Sequence, residues 1–221
     1  MRMRLIGLIL ALLFFGTARA QDAADFVDAA RQNLKQGEKR LAKHQLDAAG
    51  RLLLSVSQPE VAMAAAELYL ELDSGRPVVQ LIRPLLDARL GKADYYRLLS
   101  EAYIKLNKND SARAYAEEGI RLFPKSGALY RQLGLTYSRE LQFQRAASIW
   151  ERGVQAQPNY PWNYYHPAKF YSQTAKQLWT ILYGESFILL YEHSIATRDI
   201  GRLVMAAYQQ GIIFTSDSTR R

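Results

Sequence analysis

After residue 21 the apolar residues recur at three- and four-residue spacing, and short polar or proline-bearing breaks cut the pattern into helix-sized pieces. Gln21 to Lys43 reads as one helix, with Phe26, Ala29, Ala30, Leu34 and Leu41 near one face and Gly37 as a weak point. Leu46 to Val56 reads as a second. Asp73-Ser74-Gly75 before Pro77, and Asn107 to Asp110, mark turns that open further helices. Pro84 sits inside the helix expected over Pro77 to Leu90, where it removes a backbone hydrogen bond and predicts a kink. Pro124 and Pro158 stop their helices, and Pro167 predicts that the helix after Tyr160 is bent or begins late. Ile200, Leu203, Val204, Ala207, Tyr208, Gly211 and Ile212 predict a last helix, with Asp199 in its first turn.

The pieces repeat. Tyr69, Tyr103, Tyr137 and Tyr171 stand 34 residues apart, and so do two columns of small or near-small residues. One column is Ala66, Ser100, Gly134 and Ala168; the other is Val78, Ala112, Ala146 and Thr180. In the stretch from Gly127 to Tyr160 the aromatics Tyr130, Tyr137 and Trp150 flank Gly134, Ala146 and Gly153, with Pro158 as the stop. Small residues let two backbones approach, and the aromatics fill the seam between them. This distribution resembles the tetratricopeptide repeat family, whose unit is a 34-residue helix-turn-helix.

The resemblance implies an all-α, right-handed solenoid of helix-turn-helix repeats with a C-terminal capping helix. Its expected organisation is N-terminal helices forming a degenerate repeat over 21–58, with Gly37 in the small-residue column. Four repeats follow over 59–92, 93–126, 127–160 and 161–194, then a capping helix over 195–214 and a frayed tail over 215–221.

Residues 1–20 change the picture of where the chain works. Arg2 and Arg4 precede an apolar run from Leu5 to Gly16, and Ala18-Arg19-Ala20 offers small residues at the −3 and −1 sites of a cleavage point. This is the form of a secretory signal peptide, and it predicts export to the periplasm. An uncleaved membrane anchor is the alternative, although the apolar run is short for a bilayer core of about 30 Å. Removing the leader leaves 26 basic against 21 acidic residues, a net charge of +5 rather than +8. The chain has no cysteine, which excludes acylation at a lipobox, disulfides and thiolate metal sites.

Candidate chemistry is sparse. Gly184-Glu185-Ser186 lacks the second glycine of a nucleophile elbow, because Ile188 stands in its place. His44, His166 and His193 do not share the spacing that puts two imidazoles on one helical face, and there is no glycine-rich phosphate loop. The expectation is a protein that is not an enzyme, with no cofactor and no metal. Nucleic acid fits poorly with export and a modest net charge.

What remains is a binding surface. The resemblance implies that certain first-helix positions face a concave groove. Here they carry Met63, Glu67, Arg97, Glu101, Arg131, Leu135, Arg139, Trp162, Tyr165 and Lys169. An extended peptide or partner helix would pair its acids with the arginines and pack against Trp162 and Tyr165. A solvated face with internal pairs, such as Arg97 with Glu101, is equally open at this stage. The rival function is a structural subunit of an envelope assembly that oligomerises through its convex face or terminal helix.

Overall fold

The computed structural model describes residues 22–55, 58–88, 91–192 and 194–211. The expected leader and the tail from 212 lie outside these residues. The described residues fold into helices α1 (22–35), α2 (Lys39–Leu53), α3 (Pro59–Glu71), α4 (Gly75–Asp87), α5 (Ala93–Lys105) and α6 (Asn109–Leu122). They continue as α7 (Gly127–Arg139), α8 (Phe143–Ala156), α9 (Trp162–Tyr171), α10 (Gln177–Leu190) and α11 (Ile195–Gly211). Two compact units result, divided within α6 between Ala112 and Arg113. In the first, α2, α3, α4 and α5 pack in succession, and α3 also lies beside α5. In the second, α7 to α11 pack in succession, with α7 also beside α9.

The turn inside each of the first four helix pairs has one recurring chemistry. Gly37, Asp73, Asn107 and Leu141 take left-handed backbone angles, with φ of 81°, 55°, 56° and 61°. After each, the next backbone N–H reaches back five residues: Glu38 to Asn33, Ser74 to Tyr69, Lys108 to Tyr103 and Gln142 to Tyr137, at 2.8 to 2.9 Å. This Schellman arrangement satisfies carbonyls that the helix end would leave open. Three of the acceptors belong to the tyrosine column. That column therefore marks the last turn of a first helix as well as a packing position.

Small residues set the distance between helices. A β-carbon on Gly134 would run into the Trp150 indole, whose Nε1–H donates to the Arg131 carbonyl at 3.2 Å. Ser100, fully buried, donates its hydroxyl to the Ala112 carbonyl at 2.9 Å, so its polar atom is satisfied inside the seam. Proline ends are also tied. The Tyr130 hydroxyl donates to the Pro124 carbonyl at 3.1 Å and, one repeat later, Tyr164 to Pro158 at 2.8 Å. Gly184, where the pattern calls for a large residue, makes room for Val204 and Ile200 of α11. A second core of Ala168, Phe187, Ile200 and Val204 closes there.

Three expectations need correction. Gly37 lies in the turn between α1 and α2, not inside a helix and not in the small-residue column. The helix break falls at residues 36–38 instead of near Lys43. With Gly37 aligned to Asp73, the small and apolar positions become Ala30, Ala42, Leu46 and Ala49, all with no solvent exposure. The N-terminal pair therefore shares the small and apolar columns of the others, with Asn33 standing where they carry the tyrosine. Second, α9 begins at Trp162 and runs through Pro167 to Tyr171, so it does not start late. Third, α11 begins at Ile195, which moves Asp199 out of the first turn. There the Ser194 hydroxyl accepts from the Thr197 N–H at 3.0 Å.

Leu141 is the one large apolar residue among the left-handed turn positions, and it is 74% exposed, so it gains little burial for its strained backbone. Leu141→Asn should raise stability by about 1 kcal/mol in chemical denaturation. A lower midpoint would show that the leucine side chain holds something that the turn needs.

Candidate functional site

In the first unit the positions expected to face a groove lie on α3 and α5, which are neighbours. Arg97 is the centre of this face. Its guanidinium pairs with Glu67 across the helices, with Asp94 at 3.2 Å and with Glu101 at 3.5 Å, and only 14% of its side chain is exposed. Burial works against the charged form, but the three carboxylates outweigh it and raise the arginine above its ordinary value. Lys92 pairs with Glu60 at 2.5 Å and Lys105 with Asp73, so three ion pairs tie the α5 side to the α3 side. Met63 is half-buried on the same helix as Glu67. On this face the internal pairing is the arrangement found, and Arg97 already has its counter-charges.

The second unit is different. Arg131, Leu135 and Arg139 lie on α7, and Trp162, Tyr165 and Lys169 on α9. The Arg131 guanidinium sits over the Trp162 ring at 5.4 Å, and Lys169 Nζ lies 5.4 Å from the Tyr165 ring. Trp162 and Tyr165 meet edge to face at 5.3 Å. Neither Arg131 nor Lys169 has a carboxylate ion-pair partner among the described residues, and Arg131 Nε is shielded from solvent without a hydrogen bond. Leu135 is half-buried, and Arg139 is exposed at the end of α7.

Beside these residues a cavity of about 240 Å³ opens between α7, α8 and α9. It is lined by Ser138, Phe143, Tyr165, His166, Lys169 and Phe170, with Trp150 at its inner wall. His166 stacks on Trp150 at 4.9 Å, and its Nε2, shielded from solvent, has no partner. Burial and the positive charges of Arg131 and Lys169 hold the imidazole down to about 3, so it is neutral near pH 7. In the sequence, His166 is one of three scattered histidines. A signal was present in its spacing, three residues before Lys169 and beside Tyr165, but the stack on Trp150 depends on how α8 meets α9.

This arrangement presents two cations on aromatic rings, an unsatisfied imidazole nitrogen and walls that mix aromatic with polar side chains. It suits an acidic segment that also carries an apolar or aromatic side chain. Elsewhere, the Ser186 hydroxyl donates to the Leu182 carbonyl at 2.8 Å within α10. His193 lies outside the described residues. No described helix is long and apolar enough to cross a membrane.

Comparison with known proteins defines the fold. No family model matches the sequence, and no curated protein is significantly similar to it. Solved structures do match. TTC0263, a tetratricopeptide-repeat protein of Thermus thermophilus, is similar at a TM-score of 0.64 and 16% identity, over 85% of this chain and 99% of that one. PilF of Pseudomonas aeruginosa is similar at 0.58 and 15% identity, over 88% of each chain. PilW, described as a widely conserved type IV pilus biogenesis factor, is similar at 0.58 and 17% identity, over 86% of this chain and 90% of its own. At these identities the likeness is one of fold, and the fold is that of the tetratricopeptide-repeat proteins.

The His166 environment generates a pH prediction. Its folded value lies below the ordinary 6.5, so the unfolded chain binds the extra proton first. This group leaves stability untouched above about pH 6.5 and lowers it by about 1.4 kcal/mol per pH unit as acid is added, down to the folded value. His166→Gln should flatten that part of the profile between about pH 6.5 and 4 in thermal or urea unfolding. Parallel profiles for the two proteins would mean that the imidazole is solvated.

Proposed function

We propose, from the tetratricopeptide-repeat fold of the chain, that it is a non-catalytic binding scaffold. It works in the bacterial periplasm after loss of its leader, and it holds a peptide segment or helix of a protein partner against α7 and α9. The observation that carries this reading is the contrast between the two units. Arg97 is matched by Glu67, Asp94 and Glu101, whereas Arg131 and Lys169 rest on aromatic rings with no carboxylate partner among the described residues. Cations held on aromatic faces beside a cavity of mixed aromatic and polar lining favour a partner that brings its own acids. Arg131, Leu135, Arg139, Trp162, Tyr165 and Lys169 are its contact residues on this reading. Met63, Glu67, Arg97 and Glu101 form a groove surface whose one cation is already matched by acids of its own unit.

The periplasmic setting rests on the pattern of residues 1–20. The exported protein should begin at Gln21, and intact mass spectrometry that finds a start between Met1 and Gly16 would remove that part of the proposal.

The binding part is tested by Arg131→Ala/Lys169→Ala beside the remote control Lys125→Ala. Proteins captured from envelope extracts should bind the double variant about 5- to 100-fold less well, corresponding to about 1 to 3 kcal/mol, with the loss shrinking as salt rises. Helical circular dichroism should be unchanged. Full capture by the double variant, with loss in the control, would move the binding surface away from α7 and α9.

A further inference from the structure

The outer face of α10 is the least expected surface of the protein. Leu178, Trp179, Leu182, Leu189 and Leu190 are all exposed, Leu178 to 63% and Leu189 to 77%. At 100° per residue they fall within an arc of about 120°. The opposite side carries the buried Thr180, Gly184 and Phe187. The polar residues within or beside the exposed arc are Glu185 and Ser186, and each is engaged. Glu185 accepts the Tyr208 hydroxyl at 2.5 Å, and Ser186 donates to the Leu182 carbonyl. A helix that is apolar on every side belongs in an interior, and the last helices of a repeat stack need a polar outer face to stay in water. Although α11 packs on α10, it leaves this face bare.

We propose that a second copy of this chain covers it, with the two α10 helices packed antiparallel across a twofold axis. The spacing supports self-pairing. Leu178, Leu182, Glu185 and Leu189 are separated by 4, 3 and 4 residues, a seam spacing that reads the same in both directions. An axis between residues 183 and 184 sets Leu178 against Leu189 of the other copy, and Leu182 against its Glu185. The two Glu185 carboxylates are then offset, so no like charges meet, and each keeps its Tyr208 donor.

The area agrees. From their exposures the five apolar residues leave on the order of 500 Å² in contact with water. A standard interface takes about 800 Å² from each partner, and about 65% of a homodimer interface is apolar, which is again about 500 Å². The contact is isologous, so it closes at two copies. The groove residues of α7 and α9 are not part of it.

Sedimentation equilibrium of the exported protein tests the proposal, and the chain's lack of cysteine provides a second readout. The wild-type protein should be a dimer at micromolar concentration. Leu182→Glu should raise the dissociation constant by about 100-fold or more while helical circular dichroism is kept. Leu189→Glu, at a more exposed site, should do the same even if the first variant folds poorly. On mild oxidation, Leu178→Cys/Leu189→Cys should give linked dimers in which peptide mapping joins residue 178 to residue 189. A wild-type chain that is monomeric at about 100 µM overturns the proposal, including one that instead floats with phosphatidylglycerol vesicles or pairs only with a foreign helix. So does a dimer indifferent to both glutamates, or disulfides joining 178 to 178 and 189 to 189.

Discussion

Most of the described helices are too short to stand alone, so the distance between neighbouring backbones is the constraint from which the rest follows. Helices of 13 or 14 residues are marginal in water and gain their stability from the faces that they bury. Those faces close only where side chains are small. Gly134 admits the Trp150 ring, Gly75 lies against the Ala102 carbonyl, and Gly184 admits Val204. A larger residue at any of these points holds apart two surfaces whose contact supplies most of the local free energy. Once the approach is fixed, the outward positions of the first helices are fixed too, and side chains 30 or more residues apart come into reach, as Arg97 and Glu67 do.

Much of this was legible because it is periodic. The tyrosine and small-residue columns identify the helix pairs, and the prolines at 124 and 158 punctuate them. Gly37 shows where such reading fails. Glycine serves both a close approach and a left-handed turn, and the two roles look alike in one residue. Only the downstream positions Ala42, Leu46 and Ala49 distinguish them, since they become a buried column when Gly37 is placed in the turn. Leu141 was illegible in the other direction. Its propensity argues against a left-handed backbone, and the close of α7 through Gln142 and Tyr137 imposes it anyway.

The candidate site was legible in composition but not in state. A sequence shows Arg97 four residues before Glu101, and that pair forms, yet the stronger match to Glu67 comes from the adjacency of α3 and α5. Likewise the cluster from Tyr160 to Tyr171 is visible as a run of aromatics. That Arg131 would cover Trp162, or that His166 would lie flat on Trp150 beside a cavity, depends on which faces α7, α8 and α9 turn to one another.

The difference between the two units has a cause in the same columns. In the first unit the contact between successive first helices carries Glu60 with Lys92, Glu67 with Arg97, and Asp73 with Lys105. Two repeat lengths later the matching positions hold Ala128 and Tyr160, Leu135 and Tyr165, and Leu141 and Gln173. Every ionic pair has been replaced, in most cases by apolar or aromatic side chains. Partly exposed ion pairs add little net stability, so the exchange need not weaken the stack, but it changes what the surface can do. Where acids and bases answer each other, an incoming charged segment must displace a partner that is already satisfied. Where the acids are gone, Arg131 and Lys169 keep their charge and lie on rings that a ligand can share. The preference for an acidic, apolar partner proposed for the second unit thus rests on the removal of carboxylates more than on the addition of cations.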